Sequence, residues 1–135
     1  MSLGINAGVS GLGGLLSVSA LAWKTYKACK ESSDEFKAIS TEVSSLHIVL
    51  KEIEENLQQS KLRPDGGAEI LRLGRGCSDV LRDLEALLSK YKSLSTQSQR
   101  TWDRMRFGWE DINALRVRLV SNITLLTAFN TSLIK

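Results

Sequence analysis

The sequence predicts an all-α fold, an up-down-up-down bundle of about four helices, and three observations predict it. Apolar residues recur at alternating spacings of three and four along three long segments, proline occurs once in 135 residues, and no stretch shows the two-residue alternation of a half-buried strand. The composition, 42% hydrophobic and 24% charged, suits one compact domain. A chain of this length buries roughly two-thirds of its unfolded surface, enough for a single core. The formal charge of +3, from 18 Lys and Arg against 15 Asp and Glu, is too mild for a duplex-DNA binder that works through many phosphate contacts, so no nucleic-acid partner is expected.

The first element covers residues 1–30 and is unlike the rest. No charged residue precedes Lys24, and five of the ten glycines (Gly4, Gly8, Gly11, Gly13, Gly14) fall in that stretch. Ala20 and Ala22 form an A-x-A pattern, but a secretory signal would need a basic leading region and an unbroken apolar run, and both are missing. The second helix is expected over 32–60. Phe36, Ile39, Val43, Leu46, Leu50, Ile53 and Leu57 form its stripe, and Ser32 with Glu35 three residues on predicts a capping box at its start. Arg63-Pro64-Asp65-Gly66-Gly67 reads as a turn, because proline cannot continue a helix and glycine permits reversal.

The third helix is expected over 67–94, with Ile70, Leu73, Cys77, Val80, Leu84, Leu87, Tyr91 and Leu94 as its stripe. Ser95 to Gln99 and the aromatic and basic stretch Trp102 to Trp109 read as a connector, with room for one short extra helix. The fourth helix, 109–134, carries Ile112, Leu115, Leu119, Ile123, Leu126, Phe129 and Leu133. The end at Lys135 has no glycine or proline stop, and a domain from a longer protein is expected.

Little in the chain can carry catalysis. His47 is the sole histidine and sits mid-helix, too few ligands for zinc and no basis for a Ser-His-Asp arrangement. Cys29 and Cys77 lack a Cys-x-x-Cys partner and read as reduced, buried thiols of an intracellular protein. The acidic pairs Glu54-Glu55 and Glu110-Asp111 fit solvated faces or a helix start. Gly74-Arg75-Gly76 lacks the lysine and the preceding strand of a phosphate loop, and reads as thin places on a helix approached by a neighbour. The sequons at Asn122 and Asn130 would matter only in a secreted protein. No enzyme, metal or cofactor is expected.

The informative segment is therefore the first. Leu3 to Trp23 is 21 residues without charge, and about 20 helical residues match the roughly 30 Å hydrocarbon core of a bilayer. Its eight aliphatic residues favour insertion by roughly 0.3–0.6 kcal/mol each, while glycines, serines and Asn6 oppose it, so insertion is marginal. Gly4 and Gly8 have the G-x-x-x-G spacing that lets helices approach in lipid, and Gly11 lies near the same face. Trp23, Lys24, Tyr26, Lys27 and Lys30 form an aromatic and basic boundary suited to headgroups. The same segment also reads as a buried first helix with solvated lysines, and a marginal helix satisfies both readings by docking in the fold and leaving it.

Leu3-Gly4-Ile5-Asn6-Ala7-Gly8-Val9-Ser10-Gly11-Leu12, Val43-Ser44-Ser45-Leu46-His47-Ile48-Val49-Leu50, Arg82-Asp83-Leu84-Glu85-Ala86-Leu87-Leu88 and Arg106-Phe107-Gly108-Trp109-Glu110-Asp111-Ile112 resemble the fungal N-terminal domains called HeLo-like. The resemblance covers essentially the whole chain. It implies a helical bundle, akin to that of the mixed-lineage kinase-like necroptosis executioner, placed ahead of NACHT or NB-ARC domains in NOD-like STAND receptors. It further implies membrane targeting by the glycine-rich first helix during regulated cell death, as in heterokaryon incompatibility. On that reading activated copies self-associate, move from cytoplasm to plasma membrane, meet anionic lipid through the basic boundary and disrupt the bilayer. The residues it singles out are Gly4, Gly8, Gly11, Leu12, Leu15 and Leu16. A protein-interacting signalling bundle without membrane activity is the alternative.

Overall fold

A computed structural model of the chain describes the backbone over residues 5–59, 64–95 and 101–133, and side chains over 14–59, 67–92 and 111–133. The described residues form four helices and no strand: α1 (Ile5–Lys30), α2 (Asp34–Gln59), α3 (Pro64–Ser95) and α4 (Thr101–Leu133). The all-α bundle is as the periodicity dictates. Each stripe supplies one wall of a single core, in which Phe36, Ile39, Val43, Leu46, Leu50 and Ile53 of α2 are completely buried. Ile70, Leu73, Cys77, Val80, Leu84 and Leu87 of α3 and Ile112, Leu115, Leu119 and Leu126 of α4 meet them, with Leu57, Tyr91, Ile123, Phe129 and Leu133 packed at the margin. Burying each large aliphatic or aromatic side chain contributes roughly 1.5–3 kcal/mol, so the seams outweigh any local helix preference.

Helix directions alternate along the chain, but sequence neighbours are not always spatial neighbours. α1 packs on α2 and α3, and α4 packs on α2 and α3. α2 and α3 therefore face each other across the diagonal, where Phe36 meets Tyr91 edge-on at 5.2 Å. α2 and α4 run parallel, since Glu42 meets Arg116 while Asn56 and Glu52 meet Asn130. α1 and α3 are likewise parallel neighbours, joined by Lys24 and Glu85 at 3.4 Å. Asp83 with Arg118 ties α3 to α4 at 2.7 Å.

Three local expectations are corrected. Pro64, Asp65, Gly66 and Gly67 are the first turn of α3 rather than a turn between helices. First-turn amides have no intrahelical acceptor, so a proline there forfeits nothing and its fixed φ suits the helix. Residues 60–63, including Arg63 of the expected turn, lie outside the described part. Ser32 caps nothing: α2 begins at Asp34, the Lys37 amide donates to the Ser33 carbonyl at 2.9 Å, and the Ser33 hydroxyl has no partner. The third helical position is then Phe36, which cannot complete a capping box. Trp102 to Trp109 is no connector but part of α4, because this stretch contains no proline and Gly108 weakens the helix by only about 1 kcal/mol.

The paired glycines of α3 divide. A methyl on Gly76 would meet the Asn122 side-chain oxygen at 2.8 Å, the close approach expected of a thin place, whereas one on Gly74 would meet nothing within 4 Å. Gly74→Ala is therefore expected to stabilise the domain by about 0.5–1 kcal/mol, and Gly76→Ala by less because Asn122 must yield. Urea midpoints would show that order, and a Gly74→Ala midpoint below the parent's would contradict it.

Candidate membrane-contact site on the first helix

α1 exists because its inward positions are apolar at helical spacing: Leu15, Val18, Ala22 and Cys29 are buried, with Thr25 among them. The turn at residues 31–33, held by the Glu31 amide on the Lys27 carbonyl and the Ser32 amide on the Cys29 carbonyl, both at 3.1 Å, brings α2 back alongside. The outward positions are Leu16, Ala20, Trp23 and Lys27, all exposed, Leu16 and Trp23 each by 46%. Lys27 Nζ lies 5.8 Å from the Trp23 ring centre and Lys30 Nζ 5.6 Å from that of Tyr26. The two rings stack at 5.4 Å. A cation over an aromatic face keeps its ammonium in water while its stem covers the ring, which is how such a pair sits at a polar–apolar boundary.

The structure distributes the residues expected at this site. Leu16 is outward, and Trp23, Lys24, Lys27 and Lys30 are exposed with Tyr26 half-buried among them. Leu15 is in the core, 2% exposed, because it shares a helix face with Val18 and Ala22, and so it is not part of an outward surface. Gly4 lies outside the described residues. Gly8, Gly11 and Leu12 belong to the α1 backbone, and their surroundings lie outside the described part. Lys24 is not a free charge, since Glu85 of α3 holds it.

His47 was legible only as a helix-flank residue. It crosses from α2 to lie 5.3 Å from Trp23, tilted by 41°, and so fixes the indole against the bundle. Partial burial pushes its pKa below the usual histidine value; Lys51 lowers it further and Glu54 opposes both. Three buried polar atoms among the described residues have no hydrogen-bond partner: Thr25 Oγ1 on α1, Ser33 Oγ at the head of α2, and Glu54 Oε2, one heptad beyond His47 on the same face of α2. Each such atom costs roughly 1–3 kcal/mol, and all three fall on the first two helices or the turn between them. Elsewhere the polar side chains are well used. Buried Asn130, a sequon residue, accepts from Asn56 at 2.6 Å and donates to Glu52 at 3.3 Å, locking α4 to α2.

The two cysteines are chemically quiet. Burial pushes both thiols, Cys29 and Cys77, up to about 12, which keeps them protonated and unreactive. Among the described residues no group of three metal-ligating side chains comes together, and no helix is long and apolar enough to cross a membrane. Compared with family models, curated proteins and solved structures, the chain matches none.

A histidine whose folded-state pKa is lowered stabilises the fold above the unfolded value of 6.5 and withdraws that stability as pH falls through it. The thermal midpoint is expected to drop between neutral and mildly acidic pH by more in the parent than in His47→Gln. Equal drops in the two proteins would remove His47 from the account.

Proposed function

We propose that this chain is a non-enzymatic effector domain that binds anionic membrane surfaces through the outer face of α1 and, when copies cluster, perturbs the bilayer. Its resemblance to HeLo-like domains supports placing it ahead of a nucleotide-binding NACHT or NB-ARC module, in a cytoplasmic fungal receptor whose activation brings it to the plasma membrane and kills the cell. One observation carries the reading. In the folded bundle α1 already presents Leu16, Ala20 and Trp23 outward, bounded by Lys27 and Lys30 over aromatic rings.

The energetics favour a helix that lies on the membrane before any that enters it. Releasing α1 uncovers Leu15 and Val18 and costs roughly 1.5–3 kcal/mol for each such side chain. Surface docking costs none of that. Trp23 and Tyr26 partition to the headgroup level, and each lysine near an anionic surface adds about 1 kcal/mol. One such anchor binds weakly, so clustering is needed: linked weak sites gain avidity without any new contact. The unpartnered, buried Thr25 hydroxyl weakens the seat of α1, which lowers the cost of its later departure.

The test uses phosphatidylcholine vesicles with and without phosphatidylserine. The parent is expected to sediment with the anionic vesicles and, when fused to an oligomerising module, to release their contents. Leu16→Glu and Trp23→Ser change exposed positions, so both should stay helical by circular dichroism while binding about tenfold or more weakly. If both variants bind and permeabilise as the parent does, α1 is no membrane element and a signalling bundle is the better description.

A further inference from the structure

α4 carries two faces, and the core uses one. From Leu119 to Ile134 the sequence has no charged residue, and between Asn113 and Ser132 the exposed positions of α4 carry one charge, that of Arg118. Val117 is 69% exposed, Leu125 54% and Val120 51%, the largest such group on any one helix among the described residues. With Ser121 and Thr124 they line a shallow concavity of about 540 Å³ whose edge is the Glu42–Arg116 ion pair. The hydroxyls on and beside this face add little polarity. Thr124, Thr127 and Thr131 donate to the carbonyls of Val120, Ile123 and Thr127 at 2.7–2.9 Å, and Ser132 to that of Phe129 at 2.6 Å, so what they turn outward is largely carbon.

The two arginines of this stretch do not break the pattern. Arg116 makes a two-pronged pair with Glu42 of α2, both bonds at 3.1 Å, and Arg118 pairs with Asp83 of α3. Each therefore points sideways to a neighbour and leaves the outward strip neutral. A charged partner finds no complement on it, whereas a second strip of the same kind meets it without burying an unpaired charge.

We propose that the outer face of α4 is a self-association surface, on which a second copy of this chain lays its own α4 antiparallel about a two-fold axis. Val117, Ser121, Thr124, Ala128 and Thr131 follow the four/three alternation of a helix-packing seam. An axis passing between Ser121 and Thr124 sets Val117 of one copy against Ala128 of the other and Ser121 against Thr124, with the two Val120 side chains on one flank and the two Leu125 side chains on the other. Along the seam Val117 thus faces the smaller Ala128, and both copies use the same patch, as an isologous interface requires. The strip is roughly 30 Å long and 10 Å wide, on the order of 300 Å² per copy, against about 800 Å² per partner in a stable dimer. The pairing is weak by area and forms when copies are concentrated. It deepens the clustering step of the function proposed above and rests on that reading for its purpose, while its evidence is α4 alone.

Sedimentation equilibrium of the full chain without lipid, from about 10 μM to about 1 mM, spans the range of such weak association. The parent is expected to form a reversible dimer, Val117→Leu to retain it, and Val117→Glu and Leu125→Glu to remain monomeric with unchanged circular dichroism. Leu16→Glu on α1 should dimerise as the parent does, so a loss of vesicle binding and a loss of pairing are read separately. Ser121→Cys with Thr124→Cys should give a covalent dimer on mild oxidation, without competition from the two buried native thiols. A parent that stays monomeric throughout overturns the proposal, as does a Val117→Glu protein that still pairs. Pairing lost in Leu16→Glu instead moves the interface to α1 and also overturns it; so does Val117→Glu losing only vesicle binding, which would make the α4 strip a lipid contact.

Discussion

The apolar seam of α2, from Phe36 to Ile53, is the constraint on which the rest depends. Six side chains with no exposed surface at three/four spacing leave α2 one way to face, and every other helix meets that seam. α1 and α4 take its two flanks, and α3 lies across the core, reached at one end by Phe36 on Tyr91. α1 and α4 thereby occupy opposite corners of the bundle. Among the described residues these two helices carry most of the exposed large apolar side chains, Leu16 and Trp23 on α1 and Val117, Val120 and Leu125 on α4, against Ile48 on α2 and Leu71 on α3.

Much of this was legible in the sequence, because burial acts on side chains at a fixed period and the period is written in the chain. The predicted stripes of α2, α3 and α4 supply the core and its margin, Leu94 lying outside the described side chains, and Cys77 is on its stripe as expected. Helix ends were less legible. Pro64 is both a breaker and an acceptable first residue, and only the position of the preceding reversal decides between them. Ser32 has the residue type of a cap, yet α2 starts at Asp34 and the carbonyl of Ser33, not a hydroxyl, takes its first bond. For the first-helix site, the boundary of Trp23 and the lysines could be read from composition. The rotation that buries Leu15 and exposes Leu16 could not, since both are leucines in a stretch without charge to mark the outside. The ring contact of His47 is illegible for a related reason: its partner lies 24 residues earlier, and no spacing rule announces such a pair.

The polar groups have two roles. Asn130 with Asn56 and Glu52, and Arg116 with Glu42, fix the register of two parallel helices that share no connecting turn. A buried amide that satisfies two partners specifies one axial position, where an apolar seam alone tolerates sliding by a turn. On the α1 side the polar atoms are less complete, with Thr25 Oγ1 and Glu54 Oε2 unpaired, and register there rests on Trp23, His47 and Lys24 at the surface. One flank of α2 is therefore bolted and the other merely seated.

Because α2 and α3 are diagonal, the molecule is also two antiparallel hairpins, α1 with α2 and α3 with α4, laid side by side like the pages of a closed book. Each page is joined by contacts near in sequence and can zip early, as such local pairings do. The gutter between the pages is crossed by Lys24–Glu85, Arg116–Glu42 and the Asn130 cluster, and beneath them by the greasiest part of the interior. Parting along that plane would turn the apolar inner sides of both pages out together, and the Arg116 and Asn130 bonds across the gutter are what oppose it.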